Sequence, residues 1–390
     1  MMLSVVRCQA WEVQGQALVL ILALSIGTIA GGSLALWGIG GAILLYALAV
    51  GAERRLLCPS LDVLAWGGSF LVPVAASVLL QPLDAARSLP MALRLMSFVL
   101  PLMLIFAVPV RPTLPTWSIR FLPSVLTLAL GILAIDILAQ GHLLLAILQA
   151  KHGQLTYYNR GLSYAAVLIW PLVTVLLQRQ QGWLAFSLSV SLFLVAWLSS
   201  SRGAPLALVI GAGFYICAIR WPRLAKLAGW GLLALVAFGL LALIPWLVDG
   251  HAEWLRNLPP SWHHRFEIWH YTLSYYSAQP WLGAGVDATG ILTVPPRGYV
   301  YAVAPAAHPH HMFLQLLFEL GPLGWLWGVG LTGWAWHKIW QWPTLSARAA
   351  AMASWAALLT LACGAFSLWT DSFWAAGALA WLFCQKAKKI

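Results

Sequence analysis

Apolar stretches of about twenty residues recur from near Ala17 almost to Ile390, and this recurrence leaves few folds open. A helix needs about 20 apolar residues to cross a hydrocarbon core. Inside lipid, only helices and closed barrels satisfy their own backbone. The ten-residue alternation that marks a barrel strand is missing here. The chain therefore reads as an all-α polytopic membrane protein. Composition agrees, because only 8% of its 390 residues are charged and 61% are hydrophobic, whereas a soluble domain carries roughly 25% charged residues.

Twelve spans are predicted, at 17–33, 35–51, 61–80, 91–109, 122–140, 162–178, 183–199, 204–219, 227–247, 311–332, 349–369 and 371–385. The first apolar stretch lacks a cleavage pattern and runs into the next, so no cleavable signal peptide is expected. The excess of 22 Lys and Arg over 11 Asp and Glu could suggest nucleic acid. These charges fall instead in short loops between spans, which is how orientation in a membrane is written. With both termini on one side, 14 of the 22 collect on that side and seven on the other, while Arg94 can snorkel from its span. The expectation is an even number of spans with both ends in the cytoplasm. Cys8, Cys58, Cys217 and Cys384 fall near that side and Cys363 lies in a span, so no disulfide framework is implied.

The chain divides into helices one to nine (1–247), a long outward segment (248–310) and helices ten to twelve (311–390). A connection of that length usually has a function. Within it, Trp262 to Ala278 reads as a helix capped by Ser261 and stopped by Pro280. Phe266, Trp269, Leu273 and Tyr276 give it one aromatic face, suited to the membrane interface.

Spans six, eight, ten and twelve all begin on the outer side. Helix N-termini present unpaired N–H groups and a positive dipole end, which attract phosphate. Pro309 suits the first position of span ten, with His308 near the cap and His310 in the first turn. Asn159 suits the cap of span six, and Pro205 lies at the start of span eight. Arg160, Arg202 and Arg265 nearby could fork onto a multiply charged phosphate group. A histidine at such an end is held neutral, as a general base requires.

Plainer roles compete for each residue. Arg160 and Arg202 could anchor to lipid headgroups, and Arg265 could pair with Glu267 or Glu253. Asp136 and Glu319, in or near spans, are expected to hold neighbouring groups structurally. His263, His264, His308, His310 and His311 match no zinc spacing, so no metal and no cofactor is expected. The aromatic residues read as interfacial belt and packing.

The order Tyr158-Asn159-Arg160-Gly161, Ser201-Arg202-Gly203, Arg265-x-x-x-Trp269, His310-His311-x-Phe313-Leu314-Gln315 and Glu319-Leu320-Gly321 resembles the O-antigen ligase and O-antigen polymerase superfamily over about residues 155–335. The resemblance implies a GT-C-like glycosyltransferase fold in the bacterial inner membrane, with its active site facing the periplasm. It implies transfer of a glycan from an undecaprenyl-diphosphate carrier, without nucleotide donor or metal; in the ligases the acceptor is lipid A–core. Carried over, Arg202 and Arg265 correspond to the arginines that hold the diphosphate, and His310 to the essential histidine. The family commonly has His-Asn where this chain has His310-His311, so His311 departs from the pattern and is kept as a substrate-binding candidate beside Arg160.

A polymerase would use a second lipid-linked glycan as acceptor and often carries two sizeable periplasmic loops. A protein O-oligosaccharyltransferase usually has further C-terminal material. A lipid-linked glycan transporter would place charges deep in mid-membrane. One long loop and basic groups at one face favour the ligase, whose partners are the lipid-linked donor, the lipid A–core acceptor and the bilayer, with no nucleic acid.

Overall fold

The structure is a computed structural model and describes residues 61–80, 82–107, 116–139, 156–199, 202–246, 259–277, 281–293 and 306–386. Among these no strand occurs. Helices run α1 (Leu61–Leu80), α2 (Ala85–Ala107), α3 (Thr116–Leu138), α4 (Thr156–Gln178), α5 (Gly182–Leu198), α6 (Gly203–Arg220) and α7 (Pro222–Ala234). A π turn at Leu235–Gly239 leads into α8 (Leu240–Trp246), followed by α9 (Pro260–Tyr276), α10 (Met312–Trp340), α11 (Leu345–Ala362) and α12 (Asp371–Lys386).

Tyr158–Gln178 of α4 and the whole of α6, α10 and α11 are long and apolar enough to cross a membrane. Ala65–Leu80, Leu126–Leu138 and Gly182–Leu198 are shorter apolar helices. Large apolar side chains such as Leu138 (77% exposed) and Trp183 (79%) point outward, while Asp136, Gln315 and Glu319 are buried. That inversion suits a lipid solvent. The expected spans 17–33 and 35–51 lie outside the described residues.

Several boundaries differ from expectation for local reasons. Helix α2 starts at Ala85 rather than 91, because the Asp84 carboxylate accepts the Arg87 N–H at 3.2 Å and caps it. The expected span 349–369 ends as a helix at Ala362, and the chain turns at Cys363-Gly364. Helix α9 has Pro259 at its cap and Pro260 in its first turn, so Ser261 is not the cap. Of its expected aromatic face only Trp269 is fully buried, while Phe266, Leu273 and Tyr276 are partly so. That face packs on Ile244 of α8 and on Leu314 and Phe318 of α10.

The core of the bundle is α11 held between α6, α4 and α12. Close approach follows from small residues: Ala349, Ala350, Ala353, Ala356 and Ala357 of α11 are fully buried. On α6 a side chain at Gly211 would come within 2.6 Å of the Trp170 ring. Ser354 of α11 donates to the Val167 carbonyl at 2.9 Å, satisfying a hydroxyl that lipid could not.

Helix α10 is broken at Gly321, whose φ of 69° is left-handed. Pro322 has no N–H, which frees the Phe318 carbonyl four residues back. Ala284 donates to that oxygen at 2.9 Å, and Gly285 donates to the Glu319 oxygen at 3.1 Å. Backbone lies on backbone here, since a Cβ at Gly283 would stand 2.4 Å from the Glu319 oxygen. Residues 281–285 are thereby docked into the kink.

A Cβ at Gly321 would meet the Trp281 carbonyl at 2.5 Å, on top of the left-handed strain. We expect Gly321→Ala to destabilise the protein by about 1–3 kcal/mol. Gly213→Ala, with open space around it, should not. Thermal unfolding in detergent checks this, and equal midpoints for the two variants would refute it.

Candidate active site

His311 caps α10. Its backbone is extended, and its Nδ1 accepts the Leu314 N–H at 3.3 Å. Because Nδ1 accepts, the neutral ring carries its proton on Nε2. The ring is fully buried, edge-on to Trp269, and burial pushes its pKa down to about 4. Since this side chain satisfies the third N–H of the helix, the helix starts at Met312. The expected placing of Pro309 at the first position and of His310 in the first turn is thus corrected, and His308 is not the cap.

His310 instead sits just before the cap with a left-handed φ of 54°. Its Nδ1 lies 3.3 Å from the Ala365 carbonyl. A carbonyl can only accept, so Nδ1 carries the proton and Nε2 keeps its lone pair. Burial foremost, then the neighbouring His308 and Arg265, depresses its pKa to about 2, against a raising contribution from Ala365 and a further lowering from His264. The ring is therefore uncharged, its tautomer is fixed, and the free Nε2 lone pair is the atom that could take a proton.

Arg265, on the first turns of α9, donates to the Gly364 carbonyl at 2.9 Å and to the Ser261 carbonyl at 2.7 Å, with Trp262 beside it. The turn at 363–366 therefore receives both Arg265 and His310. Arg202 stands at the N-cap of α6, exposed, above the Trp197 ring at 5.0 Å. Its neighbour Gly203 abuts the same turn, where a Cβ would stand 3.0 Å from that of Ala365. Arg160, exposed near the start of α4, acts electrostatically on His308, whose pKa is lowered to about 4 by burial, Arg265 and Arg160 in that order. Asn159 lies inside α4, which starts at Thr156, so it is not the expected cap.

The beginnings of α4, α6 and α10 thus meet at one end of the bundle around the 363–370 turn that leads into α12. At the opposite end, Lys226 and Arg348 stack on Trp340 at 4.9 and 4.8 Å. The 363–370 turn escaped sequence reading because Phe366, Leu368 and Trp369 extend the apolar run. Gly364, just past an alanine-rich helix, was the available stop signal.

Two buried carboxyl groups, Glu319 and Asp136, and the partly buried Asp287 are held by neighbouring donors. Glu319 receives the Thr289 hydroxyl at 2.6 Å, the Asp287 N–H at 2.7 Å, the Gln315 amide and the Trp369 indole N–H. Asp287 in turn pairs with Arg87 at 2.8 Å. Asp136 accepts the Tyr158 hydroxyl at 2.5 Å. All three act as struts, as expected for Asp136 and Glu319, whereas the Arg87 pairing has no sequence signal. No group of three or more His, Cys, Asp or Glu is arranged to hold a metal among the described residues. Behind the site, an apolar cavity of about 240 Å³ is lined by Met312, Leu368, Trp369, Trp66, Trp327 and Trp374.

The fold is that of a polytopic membrane protein with a basic, histidine-bearing site at one end of its bundle. Residues 186–329 match the family model Wzy_C, described as O-Antigen ligase. A Rickettsia typhi protein named "putative polysaccharide ligase" is 26% identical over 184 residues, 44% of this chain and 44% of that protein. The chain thus spans less than half the length of that relative. The resemblance carried by the motifs is borne out at the level of the O-antigen ligase superfamily, and the matched segment contains Arg202, Arg265 and His310.

Glu319→Gln would turn an oxygen that faces donors on both sides into an amide donor. We expect a loss of about 1–3 kcal/mol, read as a lower detergent melting point and faster proteolysis within 281–293. Unchanged melting would remove Glu319 as a strut.

Proposed function

We propose that this protein is an O-antigen ligase. It would move O-antigen glycan from an undecaprenyl-diphosphate carrier to lipid A–core at the periplasmic face of the inner membrane. Twelve spans with both termini cytoplasmic belong to the same proposal. The observation that carries it is the meeting of Arg265 and His310 on the Gly364–Ala365 turn, with Gly203 beside Arg202 packed against it.

A sugar hydroxyl is a poor nucleophile until its proton is removed, a contribution of roughly 10²–10⁴ in rate. His310 Nε2 takes that proton as the acceptor oxygen bonds to the anomeric carbon of the donor from the side opposite the diphosphate. The carbon–oxygen bond to the diphosphate breaks, its electron pair leaving with the lipid diphosphate, and the configuration inverts. Arg202, Arg265 and Arg160 hold the diphosphate and offset the charge that builds on it. His311 serves by fixing the start of α10 rather than by touching the donor. The apolar cavity behind Met312 and Leu368 offers room for part of a lipid chain. This chemistry needs neither metal nor cofactor.

Arg202→Ala, Arg265→Ala and His310→Ala should each lower transfer at least about 100-fold while the protein still reaches the membrane. The assay scores O-antigen on lipid A–core separately from chain length. Loss of capped core with long lipid-linked polymer retained identifies the ligase, single-repeat products identify a polymerase, and full activity in His310→Ala removes that residue from the mechanism.

The pH dependence has a definite sign. Folded His310 and His308 hold pKa values below the ordinary 6.5. The stability gained by keeping them neutral is complete above 6.5 and is lost as pH falls from there towards the depressed values. The acid limb of kcat/KM, which reports the free protein, should therefore lie below about pH 5. A limb centred at the ordinary histidine value would contradict the assignment.

A further inference from the structure

We propose that His308 is a positioning residue for His310, its ring closing a turn that holds the His310 backbone in the left-handed conformation. The inference rests on the functional reading above, since it concerns how the proposed base is aimed.

A non-glycine residue at φ of 54° is in a strained conformation that persists only if its surroundings hold it. Three contacts fall on this short stretch. The Trp269 indole donates to the Pro309 carbonyl at 2.6 Å. The His310 ring meets the Ala365 carbonyl. The His310 N–H donates to Nδ1 of His308 at 3.2 Å. That last bond runs from a side-chain acceptor to the N–H two residues on, the connectivity of an Asx turn, with imidazole in place of the usual amide or carboxylate.

Geometry then dictates the state of His308. Nδ1 accepts, so the proton resides on Nε2, and a doubly protonated ring could not close the turn. The groups around it discourage a second proton, since burial, Arg265 and Arg160 all disfavour the charged form. The two imidazoles are in contact edge to face, with centroids 4.0 Å apart. Releasing the turn would free His310 to leave the left-handed region and swing its Nδ1 away from Ala365. A displacement of about 1 Å in a reacting group can cost on the order of 100-fold.

The test compares three substitutions in the full-length protein in membranes, with donor and acceptor supplied. Asparagine can accept the same N–H through its side-chain oxygen, glutamine holds that oxygen one carbon too far, and alanine has none. His308→Ala and His308→Gln should lower kcat by about 10- to 100-fold with little change in the KM for donor. His308→Asn should recover most of the rate. If His308→Asn is as slow as His308→Ala, or if His308→Ala turns over like wild type, the inference is overturned. Should His308→Ala fail to accumulate, the contrast between Asn and Gln decides alone, both being polar and folded by the same detergent-melting criterion. His310→Ala run alongside separates the two ideas: an active His310→Ala sinks the functional reading, whereas an inactive His310→Ala beside a fully active His308→Ala sinks only this one.

Discussion

A carboxyl group buried among lipid-facing helices is tolerable only when every oxygen meets a donor. Glu319 meets that condition with donors from three parts of the chain: Asp287 and Thr289 of the 281–293 segment, Trp369 of the 363–370 turn, and Gln315 of its own helix. Both loops that frame the site are therefore bound to one point on α10. The break at Gly321-Pro322 directly below supplies the complementary half, two carbonyls that receive Ala284 and Gly285. Together they hold residues 281–293 against α10 as a fixed wall.

The site depends on that wall at one remove. Gln315 also accepts the Leu368 N–H at 3.0 Å and donates to Ser367, so the turn between α11 and α12 is held from both sides. Its first residues present the Gly364 and Ala365 carbonyls to Arg265 and His310. Backbone oxygens thus orient the proposed base and the proposed diphosphate clamp. A carbonyl orients an imidazole without adding a charge that would compete with an incoming anion. The arginines and His308 and His310 share a crowded corner, where burial first and the nearby positive charge second keep these two histidines neutral in the free protein.

Legibility in the sequence followed the range of the forces involved. Arg202, Arg265 and His310 were singled out from residue type and order in short motifs, and α6 starts at Gly203, one residue before the expected span. The cap of α10 was misplaced by three residues, since Pro309 is a strong start signal while a histidine serving as cap through Nδ1 is an unusual one. The 363–370 turn was hidden in apolar composition. The Arg87–Asp287 pair joins residues 200 positions apart, and no spacing rule reaches that far.

Hydropathy alone determined that this chain belongs in a bilayer as a helical bundle, because the cost of unpaired backbone in lipid leaves no other use for such stretches. Charge placement alone proposed which side gathers the basic loops. Tertiary structure decided what no periodicity encodes: that His311 caps α10, that His310 is turned into the left-handed region beside His308, and that Arg265 and His310 both meet one turn. Those outcomes depend on which orphan donors and acceptors meet across the fold, and that is settled only when distant segments pack together.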